Sequence, residues 1–276
     1  MGTFRDLLVH VDGEEAGRRR VQLAFDLAVR MGGRLSGLHV TPPAEVPPRY
    51  KPSRVPEVAD AISSQLALGA RAAAAIFREE AARHMIGTSW HEAVGDVVER
   101  VSVKARYADL VILGQYEWQG PPESHPLPIA HSVVVHCGRP VLVVPAAVQL
   151  GAFQRIAVAW DGSREAVRAV HDALPFLRLS GEVHMVSMIH PSAADDQVDA
   201  KSLSAHLANH GITVATEILQ IATDKEPALL RKHIEHGQYD LLVMGGYSQP
   251  LWLEFIFGGV SQSLLLSSTI PILVSH

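Results

Sequence analysis

The chain is expected to fold as a doubly wound α/β protein built twice over, and three observations carry that expectation. Continuous apolar runs such as LLVHV, DLVIL and PVLVV suit strands buried on both faces of a parallel sheet. These runs alternate with amphipathic helical stretches. The pattern also repeats. FRDLLVHVDGEEAGRRRVQLAFDLA at the start is matched by FQRIAVAWDGSREAVRAVHDALPFL from Phe153, which sets Asp12 on Asp161 at a shift of 149. The stretch from Ala108 matches the stretch from Tyr239 at a constant shift of 131. There Asp109, Gly114, Ser132, Pro140, Leu142 and Val143 fall on Asp240, Gly245, Ser263, Pro271, Leu273 and Val274.

In the first repeat, strands are expected over Leu7–Val11, Arg34–Val40, Ser89–Glu92, Leu110–Leu113 and Val141–Val144. Helices are expected over Arg18–Met31, Ala59–His84, Val94–Ala105 and Ile129–His136. In the second repeat the strands are Arg155–Ala159, Glu182–Ile189, Thr213–Leu219, Leu241–Met244 and Ile272–Val274. The helices are Arg164–Leu177, Ala194–His210, Pro227–His236 and Val260–Leu266. The Pro-rich stretch Pro42–Glu57 reads as an extended surface loop that lengthens the first repeat. Ala146–Phe153 reads as the linker between two domains, 1–147 and 153–276. Right-handed crossovers then place helices on both faces of each sheet.

Composition bounds the function. Of 276 residues, 47% are hydrophobic and 19% charged, which supplies a sizeable core and argues against global disorder. A net charge of −5 lacks the basic footprint of a nucleic-acid binder. The single cysteine, Cys137, allows no intrachain disulfide and points to a reducing compartment. The opening MGTFRDLLVHVDGEE has no signal-peptide h-region, and the apolar stretches are too short to span a membrane, so a cytoplasmic protein is expected.

One stretch carries chemistry: GGYSQPLWLEFIFGGVSQSLL, Gly245 to Leu265. Glycine clusters before a helix N-terminus let backbone N–H groups approach phosphate. Together with VAWDGS, LLVHVDG, SGLHV, GRPVLVVP and TIPILVSH, it makes the chain resemble a tandem universal stress protein. That resemblance implies a five-stranded sheet per domain in the order 3-2-1-4-5. It also implies pairing through the last strands, Val141–Val144 with Ile272–Val274, as an internal pseudo-dimer, with further dimerisation open. Ligands of open α/β sheets bind where the strand order reverses, here between the first and fourth strands.

The nucleotide-binding branch of the family has the pattern Gly-x2-Gly-x9-Gly-[Ser/Thr]. Here those positions are Gly245, Ser248, Gly258 and Gly259, so the spacing is kept and two identities differ. Val260 and Ser261 follow at the helix start, with Ser261 matching a hydroxyl that faces phosphate. By the same resemblance Asp161, with Gly162 and Ser163, matches the acid turn near ribose and phosphates, and Met188 the residue whose backbone faces adenine. The implied ligand is ATP with Mg²⁺. Serine at position 248 costs roughly 1 kcal/mol if φ is positive there. Pro250 removes an N–H donor, and no Lys or Arg lies between Gly245 and His276. Two readings stay open at this point: a retained or weakened nucleotide loop, and a vestigial one.

In the first repeat the same positions hold Gly114, Glu117, Leu127 and Pro128, so that loop is expected to be structural. His206/His210 and His233/His236 have helical spacings that suit two ligands of a metal site. No third ligand follows from sequence, so helix-end histidines are the simpler reading. His10, His39 and His184 read as core or crevice residues, and Cys137 as a buried inert thiol. Trp252 and Phe255 read as packing anchors or a partner-facing apolar patch. No catalytic constellation stands out, so the expected role is a stress-response binding protein rather than an enzyme. The alternative is a scaffold acting through protein contacts or a histidine-bound metal.

Overall fold

The computed structural model describes residues 4–45, 54–115, 129–149, 151, 153–189, 200–220, 226–246 and 260–276. The first repeat runs β1 (Asp6–His10), α1 (Glu15–Met31), β2 (Arg34–Thr41), α2 (Val55–Ala81), β3 (Thr88–Val94), α3 (Val97–Ala105), β4 (Leu110–Gly114), α4 (Ile129–Cys137) and β5 (Val141–Val144). The second runs β6 (Arg155–Ala159), α5 (Arg164–Leu177), β7 (Glu182–Ile189), α6 (Ala200–Asn209), β8 (Val214–Gln220), α7 (Glu226–His236), β9 (Leu241–Gly245), α8 (Val260–Ser267) and β10 (Ile272–Ser275).

All ten strands form one sheet in the order β3-β2-β1-β4-β5-β10-β9-β6-β7-β8. Each half therefore has the expected 3-2-1-4-5 order, parallel throughout. The halves join at a single antiparallel pair, β5 with β10, in the register Ile272↔Val143, Leu273↔Leu142, Val274↔Val141. Leu142 and Leu273 are fully buried at this seam, so each repeat covers the strand edge that the other would leave open.

Helices α1, α2, α5 and α6 cover one face, where Phe25, Phe77, Val170, Phe176 and Leu207 share a core with inward residues of the strands. Helices α3, α4, α7 and α8 cover the other, around Val101, Val133, Ile234 and Leu264. The aligned acids of the repeat have a structural task at the start of each half. Asp109 accepts the N–H groups of Arg5 (2.7 Å) and Asp6 (3.0 Å), and Asp240 accepts those of Gln154 (2.7 Å) and Arg155 (3.1 Å). Each carboxylate satisfies backbone donors at the entrance to a first strand. Burial pushes the Asp240 pKa upward despite these bonds.

Several boundaries differ from expectation for local reasons. Helix α2 begins at Val55, inside the stretch read as loop, because Pro56 sits in the first turn, where its missing N–H costs nothing. Val94 ends β3 rather than opening α3. Gly95 then turns the chain at φ 138°, and the Asp96 carboxylate caps α3 by accepting the Glu99 N–H at 2.8 Å. The expected linker is anchored, since Val148 and Phe153 are buried in the core. The expected start of α6 at Ala194 lies outside the described residues. No helix among the described residues is long and apolar enough to cross a membrane.

Candidate functional site

Strand β6 carries the chain to Trp160, whose N–H continues the ladder by donating to Val186 O at 2.9 Å. The next three residues form a turn. Gly162 takes φ 75°, a conformation that disfavours any side chain. Ser163 donates from its N–H (2.9 Å) and its Oγ (2.6 Å) to Asp161 Oδ1, and its Oγ accepts the Ala166 N–H at 3.1 Å as the N-cap of α5. Asp161 is thus exposed but held, with its Oδ1 anchored by Ser163. Met188 lies on the neighbouring strand, paired with Leu219 across β7 and β8 and half-buried against the second core.

Gly245 ends β9, two strands' width of sheet away from β7, on the other side of β6. A Cβ there would come within 2.5 Å of Ala166 N and 2.6 Å of Glu165 C. The first turn of α5 therefore rests directly on Gly245, and glycine is required by close packing rather than by a positive φ. The structure thus brings Asp161, Gly162, Ser163 and Gly245 together at the switch point, with Met188 beside them. Val260 and Ser261 form the first turn of α8. Ser248, Gly258 and Gly259, with Trp252 and Phe255, lie outside the described residues.

The sequence reading missed Glu165. It is buried in the first turn of α5 and pairs with the Arg164 guanidinium. Burial favours its neutral form, yet the Arg164 hydrogen bond and the nearby His276 hold its pKa below the usual range. The site therefore presents one anchored acid, Asp161, and a second acid already paired.

The first repeat is built differently at the equivalent point. Arg20, with only 4% of its side chain exposed, donates to Asp12 Oδ2 at 2.6 Å and to His10 O at 2.9 Å. A Cβ on Gly114 would lie 2.0 Å from its Nη1, so the guanidinium occupies the space above the end of β4. Arg20 aligns with Ala169 in the second repeat, and nothing in the sequence marked it as a plug. Helix α2 also closes on the first repeat's turn, because a Cβ on Gly13 would meet Gly69 O at 2.9 Å and Ala72 Cβ at 3.0 Å. In the second repeat an apolar cleft of about 470 Å³ lies between α5 and α6, bounded by Trp160, Gly162, Val170 and Leu203. Glu117, Leu127 and Pro128 lie outside the described residues.

The histidine pairs separate. His206 and His210 are joined by His171 of α5, with ring centroids 5.2, 6.4 and 4.9 Å apart. His233 pairs with Glu217 at 2.9 Å, whereas His236 engages Lys232 O at 2.7 Å, so that pair does not converge. Among the described residues no group of three or more His, Cys, Asp or Glu is arranged to hold a metal ion. His39 Nδ1 engages Val11 O at 2.8 Å and is buried, and His184 pairs with Glu217. Cys137 is buried, which pushes its thiol pKa upward, away from reactivity.

Comparison with known proteins agrees with this architecture. The family model for universal stress proteins matches twice, over residues 3–145 and 152–276. A universal stress protein from Archaeoglobus fulgidus DSM 4304 superposes with a TM-score of 0.68 at 18% identity, covering 98% of this chain and 95% of its own. A functionally unknown protein from Pseudomonas aeruginosa PAO1 gives 0.59 at 15% identity, over 99% and 92%. At these identities the likeness is one of fold. No curated protein matches by sequence.

Proposed function

From a chain that belongs to the universal stress protein family, we propose a stress-response binding protein whose second repeat takes an adenine nucleotide. The observation that carries this reading is the asymmetry of the two switch points. In the first repeat Arg20 lies over Gly114 and α2 presses on the Asp12–Gly13 turn, whereas the second repeat carries Ala169 in place of Arg20 and a cleft beside Gly162. On this reading Asp161, Gly162 and Ser163 border the ribose and phosphates, and the Met188 backbone faces the base. Gly245, Ser248, Gly258, Gly259, Val260 and Ser261 surround the phosphates.

The residues present suit Mg²⁺ carried in by the nucleotide. Asp161 is an exposed carboxylate with one oxygen anchored by Ser163, and Mg²⁺ commonly takes one or two carboxylates together with phosphate oxygens. When bound, the ion would offset the phosphate charge that Asp161 and Glu165 oppose. The role is sensing or partner regulation in the cytoplasm rather than turnover.

Calorimetry with ATP and Mg²⁺ on the wild type and on Gly258→Asp tests the reading. Saturable heat that the variant abolishes is the expected result, and a wild type that gives no heat at high micromolar ATP sinks it. One observation favours a scaffold instead: Gly245 is required by its packing on α5, so its presence needs no ligand.

A further inference from the structure

Away from both switch points, the two repeats meet around a cleft of about 420 Å³. Three guanidinium groups line it. Arg139 comes from the turn between α4 and β5, and Arg168 and Arg178 come from α5 and its C-cap. Two imidazoles, His171 and His210, join them. We propose that this inter-repeat cleft, which shares only His171 with the cleft beside Gly162, is a second site that binds a small polyphosphate or phosphate-ester anion.

Each guanidinium is oriented by one protein acceptor. Arg168 Nη2 donates to Gly138 O at 3.0 Å, Arg139 Nη2 to Arg106 O at 3.0 Å, and Arg178 Nη2 to His210 Nδ1 at 3.2 Å. The first of these bonds crosses from one repeat to the other. A guanidinium has five N–H donors, so each keeps further donors for a ligand and loses little freedom in using them. Both acids in the wall have partners, Asp172 pairing in part with Arg168 of the cleft itself. Asp109 accepts the backbone N–H groups of Arg5 and Asp6, and Asp172 accepts the Ser275 hydroxyl at 2.8 Å, 3.8 Å from Arg168 Nε. The lining therefore carries a net single positive charge with neutral histidines and a net three with both protonated.

The cationic character is not a by-product of the repeat. At the same shifts, Arg168, His171, Arg178 and Arg139 align with Arg19, Gln22, Val29 and Ile270, so the equivalent positions retain one cation. The cleft's size sits at the small end of ligand sites and too low for a protein segment, which favours a compact anion over a macromolecule.

Proton uptake follows from the same geometry. Desolvation, then His206, Arg178 and His171, holds the His210 pKa below its usual value. A bound anion offsets the guanidinium charge and favours a proton on His210 Nδ1, which then gives up its bond from Arg178 Nη2 and frees that donor for the ligand. Among the described residues, His171, Arg168, Asp172 and the cap Arg178 from α5, His206 from α6, and Arg139 and Asp109 from the first repeat are the charged or titratable groups around it.

The test is calorimetry with sodium tripolyphosphate and no divalent ion, at about pH 6 and about pH 8, bracketing histidine titration. All arms use the Gly258→Asp background, which removes phosphate binding at the nucleotide loop, and there the chain should bind about tenfold or more tighter at the lower pH. Arg139→Gln/Arg178→Gln should lose about tenfold or more. Because the ATP experiment varies Gly258 and this one varies the arginines, either reading can fail alone. Absence of saturable heat at millimolar ligand in that background, or an affinity unchanged by the added arginine pair of substitutions, overturns the proposal. So does binding of long polyanions without tripolyphosphate. Should the double variant not fold, NMR of the Gly258→Asp chain decides: the ring signal of His210, which lines this cleft and not the one beside Gly162, must move on titration, and its standing still overturns the site.

Discussion

Replacing Arg20 with methionine isolates the charge that plugs the first repeat, because methionine keeps most of the stem's volume. Arg20 is 4% exposed in its side chain and its partner Asp12 is 38% exposed. Breaking a fully buried pair costs about 3–5 kcal/mol. Asp12 can regain water here, so the pair accounts for about 2 kcal/mol. Arg20 also donates to His10 O at 2.9 Å, and leaving that carbonyl short of a donor adds about 1 kcal/mol. Arg20→Met should therefore destabilise by about 3 kcal/mol, visible in urea unfolding as a lower midpoint at unchanged slope. Asp12→Asn alone should cost about 1–2 kcal/mol. The double variant should cost less than the sum of the two by at least about 1 kcal/mol, because the first change already removes what the second would break. A coupling below about 0.3 kcal/mol, within ordinary additivity, would refute the claim that this ion pair is what occupies the first repeat's crevice.

Two further outcomes concern the first strand of the first repeat and the switch point of the second. Burial, and then the Arg20 guanidinium, pulls the His10 pKa from 6.5 down to about 4. The folded chain then binds fewer protons than the unfolded chain between those values, so stability is full above about pH 6.5 and falls by up to about 1.4 kcal/mol per pH unit toward pH 4. Partial exposure of His10 makes that slope an upper figure, and His10→Gln should flatten the urea midpoint against pH over this window. Gly245→Ala would set a methyl group 2.5 Å from Ala166 N, against backbone that cannot swing aside. It should cost about 1–3 kcal/mol and lower the thermal midpoint by several degrees. An unchanged midpoint would show that α5 does not rest on β9.

Most of the architecture was legible in the chain. The buried runs LLVHV, DLVIL and PVLVV announce parallel strands because only strands covered on both faces can be apolar without alternation. The repeat places Asp109 and Asp240 at equivalent points, and the strand order follows from family resemblance. Helix ends were less legible. Pro56 reads as a breaker in isolation, but at the first turn its missing N–H is no loss. At the site, Asp161, Gly162 and Ser163 could be singled out because the turn is local: residues two or three apart make its hydrogen bonds.

What the amino-acid order determined by itself is the repeated α/β pattern, the 149 and 131 shifts, and the loop spacing from Gly245 to Gly259. These depend on neighbours along the chain, whose periodicity survives in one dimension. Tertiary structure decided which crevice is plugged, why Gly245 must be glycine, and where positive charge gathers. Arg20 meets Gly114 across 94 positions of sequence, Gly245 meets Ala166 across 79, and Arg168 meets Gly138 from the other repeat. Each contact joins side chains or backbone brought together only when ten strands align in one sheet.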